Sequence, residues 1–301
     1  MNNKSSLFFS FLVIFSVFLV ELIGGIVSNS LALLSDAGHM LTDTLALALA
    51  LFATIFSERP ATKEKTYGYY RLEILSALFN GSFLTLIALF IFYQAYQRFL
   101  HPVEIKSVIM LSVAAIGVLA NILAAAILWN RSRENLNIRG AFLHILSDLL
   151  SSVGVVAGGL LIYFKGWYYV DPILGILIGI LILRGAVLLI FEATNVLLES
   201  VPQGMKLEEI VQTIREIPGV KEIHDLHVWA ITSGMNAISA HILIENTKVD
   251  RAAEILQEIN ETLKNKYAIV HSTFQTECES CPQGLVCQIE PREEREHEPS
   301  H

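Results

Sequence analysis

The chain has 301 residues, of which 53% are hydrophobic and 17% are charged, whereas about 25% of the residues of a typical soluble domain are charged. Residues 1–199 carry equal numbers of acidic and basic side chains, so the whole net charge of −8 belongs to residues 200–301. An acidic soluble part without basic runs excludes nucleic acid as a partner. Composition predicts a transmembrane domain over 1–199, a water-soluble domain over 200–290 and a disordered acidic tail over 291–301.

Long apolar runs separated by short polar connections fill the first domain. About 20 apolar residues cross a membrane as a helix, and six runs reach that length. The first run is too long for a cleaved signal peptide, and it holds Glu21 where a small-residue cleavage site would be needed. The prediction is an α-helical membrane protein with six transmembrane helices surrounded by lipid, near residues 7–28, 31–56, 72–98, 106–129, 140–164 and 168–195.

The connections after the second and fourth spans are rich in Lys and Arg, and those on the other side are poor in them. Because basic connections stay in the cytoplasm, both termini and the soluble domain are predicted to be cytoplasmic. The three cysteines, which include a Cys-x-x-Cys spacing, are typical of reduced thiols in that compartment. The basic residues behind this orientation are Arg59, Lys63, Lys65, Arg71, Arg131, Arg133 and Arg139.

The second and fifth spans each carry a His and an Asp four residues apart, His39 with Asp43 and His144 with Asp148. Residues at that spacing share one helix face, about 6 Å apart along the axis. A carboxylate inside a span costs roughly 2.5–3.5 kcal/mol on insertion scales, which a bound cation offsets. If the two spans face each other, two imidazoles and two carboxylates form a tetrahedral Zn²⁺ site. The alternative is a pair of Asp–His hydrogen bonds that hold the helices together.

From about residue 206 the pattern is that of a small soluble domain. "KLEEIVQTIREIPGV" predicts a helix that ends at Pro218-Gly219, and "VKEIHDLHVWAIT" with "NAISAHILIE" predicts a hairpin at Ser233-Gly234. "DRAAEILQEINETLKNKY" predicts a helix capped by Asp250, and "AIVHSTFQTE" predicts a further strand. The order αββαβ indicates an α+β fold, an open sheet with helices on one face.

Other polar or small residues of the spans have mainly structural interpretations. Glu21, Asn80 and Asn121 are candidates for lining a water path or a dimer contact, and interhelical hydrogen bonds are the favoured interpretation of the two asparagines. Asp171, followed by Pro172, is expected to cap the start of the sixth span. The small residues of "GVVAGGLL" are expected to permit close helix packing.

Five stretches resemble the cation diffusion facilitator family, and in particular its bacterial CzcD-type zinc, cadmium and cobalt exporters: "SLALLSDAGHMLTDTLALALALFA", "TYGYYRLEILSALFNG", "GAFLHILSDLLSSVGVVAGG", "DPILGILIGILIL" and "IHDLHVWAITSGMNAISAHI". The resemblance covers nearly the whole chain in order. It implies a homodimeric, six-span exporter of Zn²⁺, with Cd²⁺ and Co²⁺ as further substrates, that exchanges metal for protons across the bacterial cytoplasmic membrane. It also implies a cytosolic, metallochaperone-like domain of ferredoxin-like topology that binds metal.

The resemblance assigns roles to residues by position. In the membrane domain it implies a dimer interlock between a basic residue that opens the third span and an acidic residue after the sixth. The loop "TKEKTYGYY" lacks the Asp and His of a second membrane site found in some members, so no metal is expected there. The transport-site residues are His39, Asp43, His144 and Asp148, and the interlock residues are Arg71 and Glu199.

In the soluble domain the resemblance implies Zn²⁺ as a regulatory ion, with three histidines as ligands and an acidic residue or cysteines as possible partners. His224 and His241 lie on adjacent predicted strands, which favours their convergence. His227 points to the opposite sheet face from His224 and is expected to be structural. The candidate ligands are His224, His241, His271, Glu277, Cys278 and Cys281.

The membrane domain lacks a nucleophile–base arrangement, and H-x-x-x-D lacks the general-base Glu of H-E-x-x-H. The chain is therefore expected not to be an enzyme. Two alternatives to a proton-coupled exporter stay open: a metal channel without proton exchange, and a metal-sensing membrane protein. Conduction needs weak binding, which a four-ligand site does not offer, and a sensor leaves the two membrane His–Asp pairs unexplained.

Overall fold

The structure, a computed structural model, describes residues 3–57, 61–129 and 136–278. Within these ranges it does not describe the side chains of 3–10, 13, 43, 46–47, 50–57, 128, 136–141 and 144. The chain divides into two compact units, Met1–Thr194 and Asn195–His301.

Long helices make up the described part of the first unit. Their ends differ from the predicted spans by at most four residues. Where side chains are described, four helices are long and apolar enough to cross a membrane, and Ile14–Ser28 is a shorter apolar stretch. The helices are α1 Asn3–Ser28, α2 Leu31–Ser57, α3 Arg71–Leu100, α4 Ser107–Trp129, α5 Leu136–Lys165 and α6 Val170–Leu197.

Apolar side chains of α2 to α6 pack into one cluster in this unit. Its fully buried members include Leu31, Leu84, Met110 and Val155. Because lipid is as apolar as these side chains, they stabilise the bundle through van der Waals packing rather than through the exclusion of water.

Two glycines of α5 allow its close approach to neighbouring helices. A Cβ at Gly158 would lie 2.3 Å from Leu174 Cδ1 of α6, and a Cβ at Gly159 would lie 2.9 Å from Leu111 Cδ2 of α4. Both distances are shorter than a carbon–carbon contact allows. The predicted packing role of "GVVAGGLL" is confirmed at these two positions.

Asp171 fixes the start of α2 rather than the start of its own helix. Its carboxylate accepts hydrogen bonds from the Ser30 hydroxyl at 2.6 Å and from the backbone N–H groups of Leu31 at 2.8 Å and Ala32 at 3.1 Å. Arg98 of α3 donates to the same carboxylate at 2.9 Å. The prediction that Asp171 caps α6 is wrong, because the carboxylate reaches the unpaired first-turn amides of a neighbouring helix. We call Asp171, Arg98 and the first turn of α2 the Asp171 clamp.

The described part of the second unit has the predicted order αββαβ. Its elements are α7 Leu207–Arg215, β1 Val220–Thr232, β2 Met235–Ile244, α8 Val249–Tyr267 and β3 Ile269–Glu277. The strands lie in the order β1-β2-β3, with β1 antiparallel to β2 and β2 parallel to β3. The predicted hairpin is confirmed, and Gly234 supplies its turn with a φ of 72°, which glycine adopts without steric cost.

Both helices of this unit pack on the sheet through one apolar core. Ile210 and Ile214 of α7 and Ile259 of α8 are fully buried with Ile238 and Ile242 of β2. Fully burying one such side chain contributes about 1.5–3 kcal/mol. These contacts fix the sheet on which the candidate ligands lie.

The N-terminus of α8 differs from its prediction. Lys248 occupies the N-cap position and makes no side-chain capping hydrogen bond, while Asp250 lies inside the first turn. The predicted Asp250 cap is therefore wrong. The carboxylate still interacts favourably with the positive end of the helix dipole from that position.

Candidate metal centres

One predicted pair of opposing ligands meets between α2 and α5. His39 Nε2 lies 3.1 Å from Asp148 Oδ1, although 109 residues separate them in the chain. Asp148 is buried, with 7% of its surface exposed, and His39 is half-buried. Imidazole nitrogen and carboxylate oxygen are both ordinary Zn²⁺ donors, so the pair offers two ligand atoms at one point in the bundle.

The other two predicted transport-site side chains, Asp43 and His144, lie outside the described part of the structure. Their backbone positions belong to α2 and α5, which run unbroken through 39–43 and 144–148. Each is therefore one helical turn from its described partner on the same face.

A polar layer lies directly beside the His39–Asp148 pair and was missed by the sequence reasoning. The Ser151 hydroxyl donates to Asp36 Oδ1 at 2.8 Å, and Ser152 Oγ lies 3.4 Å from Asp36 Oδ2. Asn121 Nδ2 of α4 donates to Ser152 Oγ at 3.4 Å. This last contact confirms the predicted interhelical hydrogen bond of Asn121.

Helical spacing was the signal that could have found this layer. Asp36 precedes His39 by three residues, and Ser151 follows Asp148 by three, so each shares a face with a predicted ligand. Asn80, the other predicted interhelical donor, is buried, and its Oδ1 has no hydrogen-bond partner among the described residues.

A second cluster of possible ligands lies on the sheet of the soluble unit. His224, His241 and Glu277 each offer one atom, and these atoms lie within 4.8 Å of one another. His241 Nδ1 is 3.0 Å from Glu277 Oε1, and His224 Nε2 is 3.2 Å from Glu277 Oε2. His224 Nε2 is buried and makes no hydrogen bond to any described group.

The strand pairing brings these three residues together. His224 and His241 are direct partners in the antiparallel β1–β2 ladder, and their rings are 5.3 Å apart. Glu277 pairs with Leu243 on the other side of β2. In a tetrahedral Zn²⁺ site with bonds of about 2.0–2.1 Å, ligand atoms lie about 3.3 Å apart. The observed separations from Glu277 are close to that value.

Asp225 is a further acidic neighbour of this cluster. It has a φ of 49°, and the β1 register shifts between His224 and His227. Asp225 Oδ1 lies 3.2 Å from His227 Nε2, and Oδ2 lies 3.7 Å from His241 Nε2. The bulge re-aims side chains that a regular strand would alternate, which places Asp225 between the two histidines. The alternation of side chains along a regular strand does not predict this placement of Asp225.

His271 does not lie beside His224 and His241 within the chain, and its role as a metal ligand stays a prediction. It pairs with Ala237 near the start of β3, whereas Glu277 ends that strand. Six residues of strand separate His271 from Glu277 by about 20 Å. Cys278 directly follows the cluster and is exposed, and Cys281 lies outside the described residues.

The two predicted interlock residues lie at helix boundaries. Arg71 is the first residue of α3. Glu199 follows α6 with a φ of 56°. Their pairing in a dimer stays a prediction.

Two protein-family descriptions match the chain. The cation efflux transmembrane domain matches residues 7–198, and the cytoplasmic domain of cation efflux proteins matches residues 202–279. The chain belongs to the cation efflux family and is a multi-pass membrane protein. The resemblance drawn from the sequence motifs is confirmed.

Several curated relatives match almost end to end. The cadmium, cobalt and zinc/H(+)-K(+) antiporter of Bacillus subtilis (strain 168) is 41% identical over 300 residues, which cover 98% of this chain and 96% of the relative. The metal cation efflux system protein CzcD of Cupriavidus metallidurans is 42% identical over 287 residues, covering 95% and 90%. The zinc transporter ZitB of Escherichia coli (strain K12) is 41% identical over 290 residues, covering 96% and 91%.

Proposed function

We propose that the chain exports Zn²⁺, with Cd²⁺ and Co²⁺ as further substrates, from the cytoplasm in exchange for protons. The metal binds between α2 and α5 at His39, Asp43, His144 and Asp148. The observation that carries this proposal is the contact between His39 Nε2 and Asp148 Oδ1 at 3.1 Å. The names of the relatives as zinc, cadmium and cobalt transporters support the choice of substrate.

The direction of the helices supports a four-ligand site. In a six-span chain, three reversals separate α2 from α5, so the two helices run antiparallel. With His39 level with Asp148, the next turn of α2 then brings Asp43 level with His144, about 6 Å away along the axis. Two imidazoles and two carboxylates at such a point match the coordination number and donor preference of Zn²⁺.

Proton exchange follows from the donor chemistry. Imidazole and carboxylate bind metal only when deprotonated, so metal and protons compete for the same atoms. A histidine with an ordinary pKa near 6.5 changes charge within the physiological range. In the cytoplasm-facing state metal displaces protons, and after the bundle rocks open to the other side incoming protons displace the metal.

The arrangement in the membrane is part of the proposal. Six spans with Lys- and Arg-rich connections after the second and fourth put both termini in the cytoplasm. The transmembrane domain occupies 1–199, the cytosolic domain 200–290 and the acidic tail 291–301. Two copies assemble as a homodimer, in which Arg71 and Glu199 form an interlock near the cytosolic face.

The cytosolic cluster serves as a regulatory zinc site. His224, His241 and Glu277 supply three donors of the types that Zn²⁺ prefers, and their separations of 3.0 and 3.2 Å fit a shared ion. Asp225 lies 3.7 Å from His241 Nε2, the ring nitrogen that does not face Glu277, where a carboxylate orients a metal-binding imidazole. Metal bound here shifts the dimer toward the transporting state to the extent that it binds that state more tightly.

The test is transport by the purified full chain in proteoliposomes, with internal zinc and internal pH recorded together. The informative variant is Asp148→Asn, which keeps the shape of the side chain and removes the charge. We expect its zinc flux to fall at least about 100-fold, since losing only an outer-shell partner of a metal already costs 10–100-fold. Ser147→Ala is the matched control, because Ser147 is an exposed neighbour whose hydroxyl bonds to its own helix.

Each outcome separates one reading from the others. Zinc flux that is driven by a pH gradient, and lost in Asp148→Asn alone, supports the exchanger. Zinc flux that ignores the pH gradient replaces it with a channel. Zinc binding to the soluble unit without any flux replaces it with a metal sensor.

A further inference from the structure

Glu21 of α1 is an ionisable group in the bundle that the transport site does not use. Only 2% of its surface is exposed, and its Oε2 atom has no hydrogen-bond partner among the described residues. A buried carboxylate with an unsatisfied oxygen is costly as an anion, and a bound cation removes that cost. The side chain therefore needs a positive partner in at least one state of the protein.

Glu21 points into the polar layer beside the transport site. Gly117 of α4 leaves the space, since a Cβ there would lie 2.8 Å from Glu21 Oε1 and 3.7 Å from Ser152 Oγ. Ser152 in turn contacts Asp36 at 3.4 Å. The Glu21 carboxyl group of α1 thus faces the polar layer to which α2, α4 and α5 contribute side chains.

The charged groups around Glu21 come from the helices packed against it. Asp36 of α2 and Asp148 of α5 interact with it electrostatically as like charges, and His39 lies on α2 against Asp148. The residues of α4 include no titratable side chain, and Asp43 of α2 lies outside the described side chains. Glu21 therefore shares its surroundings with two other carboxyl groups and one imidazole.

We propose that Glu21 binds one of the exchanged protons at a site separate from the metal ligands. The inference rests on the proposed function. When Zn²⁺ arrives at Asp148, its charge outweighs the negative field of that carboxylate, and the Glu21 carboxyl group ionises. The O–H bond breaks, the electron pair stays on the carboxylate and the proton passes to the water at the open side of the site. When the metal leaves, a proton returns to Glu21.

A proton suits this cluster better than a metal ion does. Its donors are oxygens, whereas Zn²⁺ prefers nitrogen and sulfur with oxygen as a supplement. The Ser151 and Ser152 hydroxyls are already engaged with Asp36, and an alkali ion needs a shell of several free oxygens. Glu21 Oε2 is buried and unpaired among the described residues, and one proton neutralises its carboxylate without needing further ligands.

The test measures how many protons exchange for each zinc ion. The full chain and Glu21→Gln are reconstituted in alkali-free buffer with the membrane potential held near zero. The measurement finds the ratio of zinc concentrations across the membrane at which net zinc flux stops against a gradient of one pH unit. Each exchanged proton multiplies that ratio by about ten, so Glu21→Gln should balance a zinc ratio about tenfold smaller than the wild type does. Glu192→Gln is the matched control, because Glu192 is an exposed carboxylate on α6.

An unchanged balancing ratio in Glu21→Gln would overturn the proton site while leaving the exchanger intact. A ratio that shifts only when K⁺ is added would replace the proton with an alkali ion. A wild type without any pH-driven zinc flux would overturn the proposed function and this inference with it. If Glu21→Gln does not fold, Glu21→Asp keeps the acid one methylene shorter. It should retain the wild-type ratio with a shifted pH for half-maximal flux, and an unshifted profile would contradict the site.

Discussion

Replacing Asp171 by alanine should destabilise the membrane unit strongly. The substitution removes a fully buried carboxylate that accepts hydrogen bonds from Ser30, Leu31, Ala32 and Arg98. It leaves the first-turn amides of α2 without their acceptor and leaves the Arg98 guanidinium, with 12% of its side chain exposed, without its counter-charge.

The magnitude follows from the clamp's geometry. Removing one partner of a buried ion pair costs about 3–5 kcal/mol, because the other charge stays buried. Arg98 retains its hydrogen bond to the Asn29 carbonyl at 2.6 Å, which places the expected loss near the lower end, at about 3 kcal/mol. Adding Arg98→Ala to Asp171→Ala should lower the free energy of unfolding little further, because the unpaired Arg98 guanidinium is then also absent.

The assay is denaturant unfolding of the purified chain in mixed micelles, run on Asp171→Ala, Arg98→Ala, the double variant and Glu104→Ala. Glu104 lies in the exposed connection between α3 and α4, so its loss should change the free energy of unfolding by less than about 0.5 kcal/mol. If Asp171→Ala loses no more than Glu104→Ala, or if the two clamp variants add without coupling, the described pairing does not stabilise the bundle.

Three further outcomes follow from the geometry. Gly158→Ala should lower the unfolding free energy in mixed micelles by about 1–3 kcal/mol, because its Cβ would meet Leu174 at 2.3 Å. Gly154→Ala should be neutral or stabilising, since nothing lies within 4 Å, and equal losses at both sites would contradict the close packing. Gly234→Ala should lower the free energy of unfolding of the soluble unit by about 1–2 kcal/mol, because the φ of Gly234 is 72°. Limited proteolysis measures this loss, and protease resistance equal to that of the wild type would contradict strain in the turn. Glu277→Gln should weaken zinc binding by the soluble unit at least about tenfold, as seen by chelator competition, while exposed Glu245→Gln should leave it unaltered; equal affinities would remove Glu277 from the site.

The sequence predicted best those features that depend on short stretches of the chain. Helix bounds follow the apolar runs, and the His39 and Asp148 positions follow from helical spacing, because an α-helix repeats every 3.6 residues whatever surrounds it. The αββαβ order and the Gly234 turn likewise come from short stretches that carry their own conformational preferences. The contact between α2 and α5 was an assumption at that level, and the structure supplied it.

The missed features depend on groups that are far apart in the chain. Asp171 looks like a cap for its own helix, and only the tertiary fold offers it the amides of α2. His271 has the same residue type as His241, but it lies six residues before Glu277 on β3, about 20 Å away along the strand. Asp225 reaches His241 through a bulge, and a regular strand pattern contains no trace of one.

The Asp171 clamp fixes the first turn of α2, so any tilt of this helix pivots about that end. His39 lies eight residues from Leu31, about 12 Å along the axis, and Ser57 lies about 39 Å along it. A tilt of about 5° around the held end moves His39 by about 1 Å and the far end by about 3.4 Å at a rise of 1.5 Å per residue. A displacement of about 1 Å is enough to make or break a metal–ligand bond, which tolerates roughly 0.2 Å. In the proposed transport cycle, a tilt of α2 would displace its far end about three times as far as His39, because of where along the helix the histidine lies.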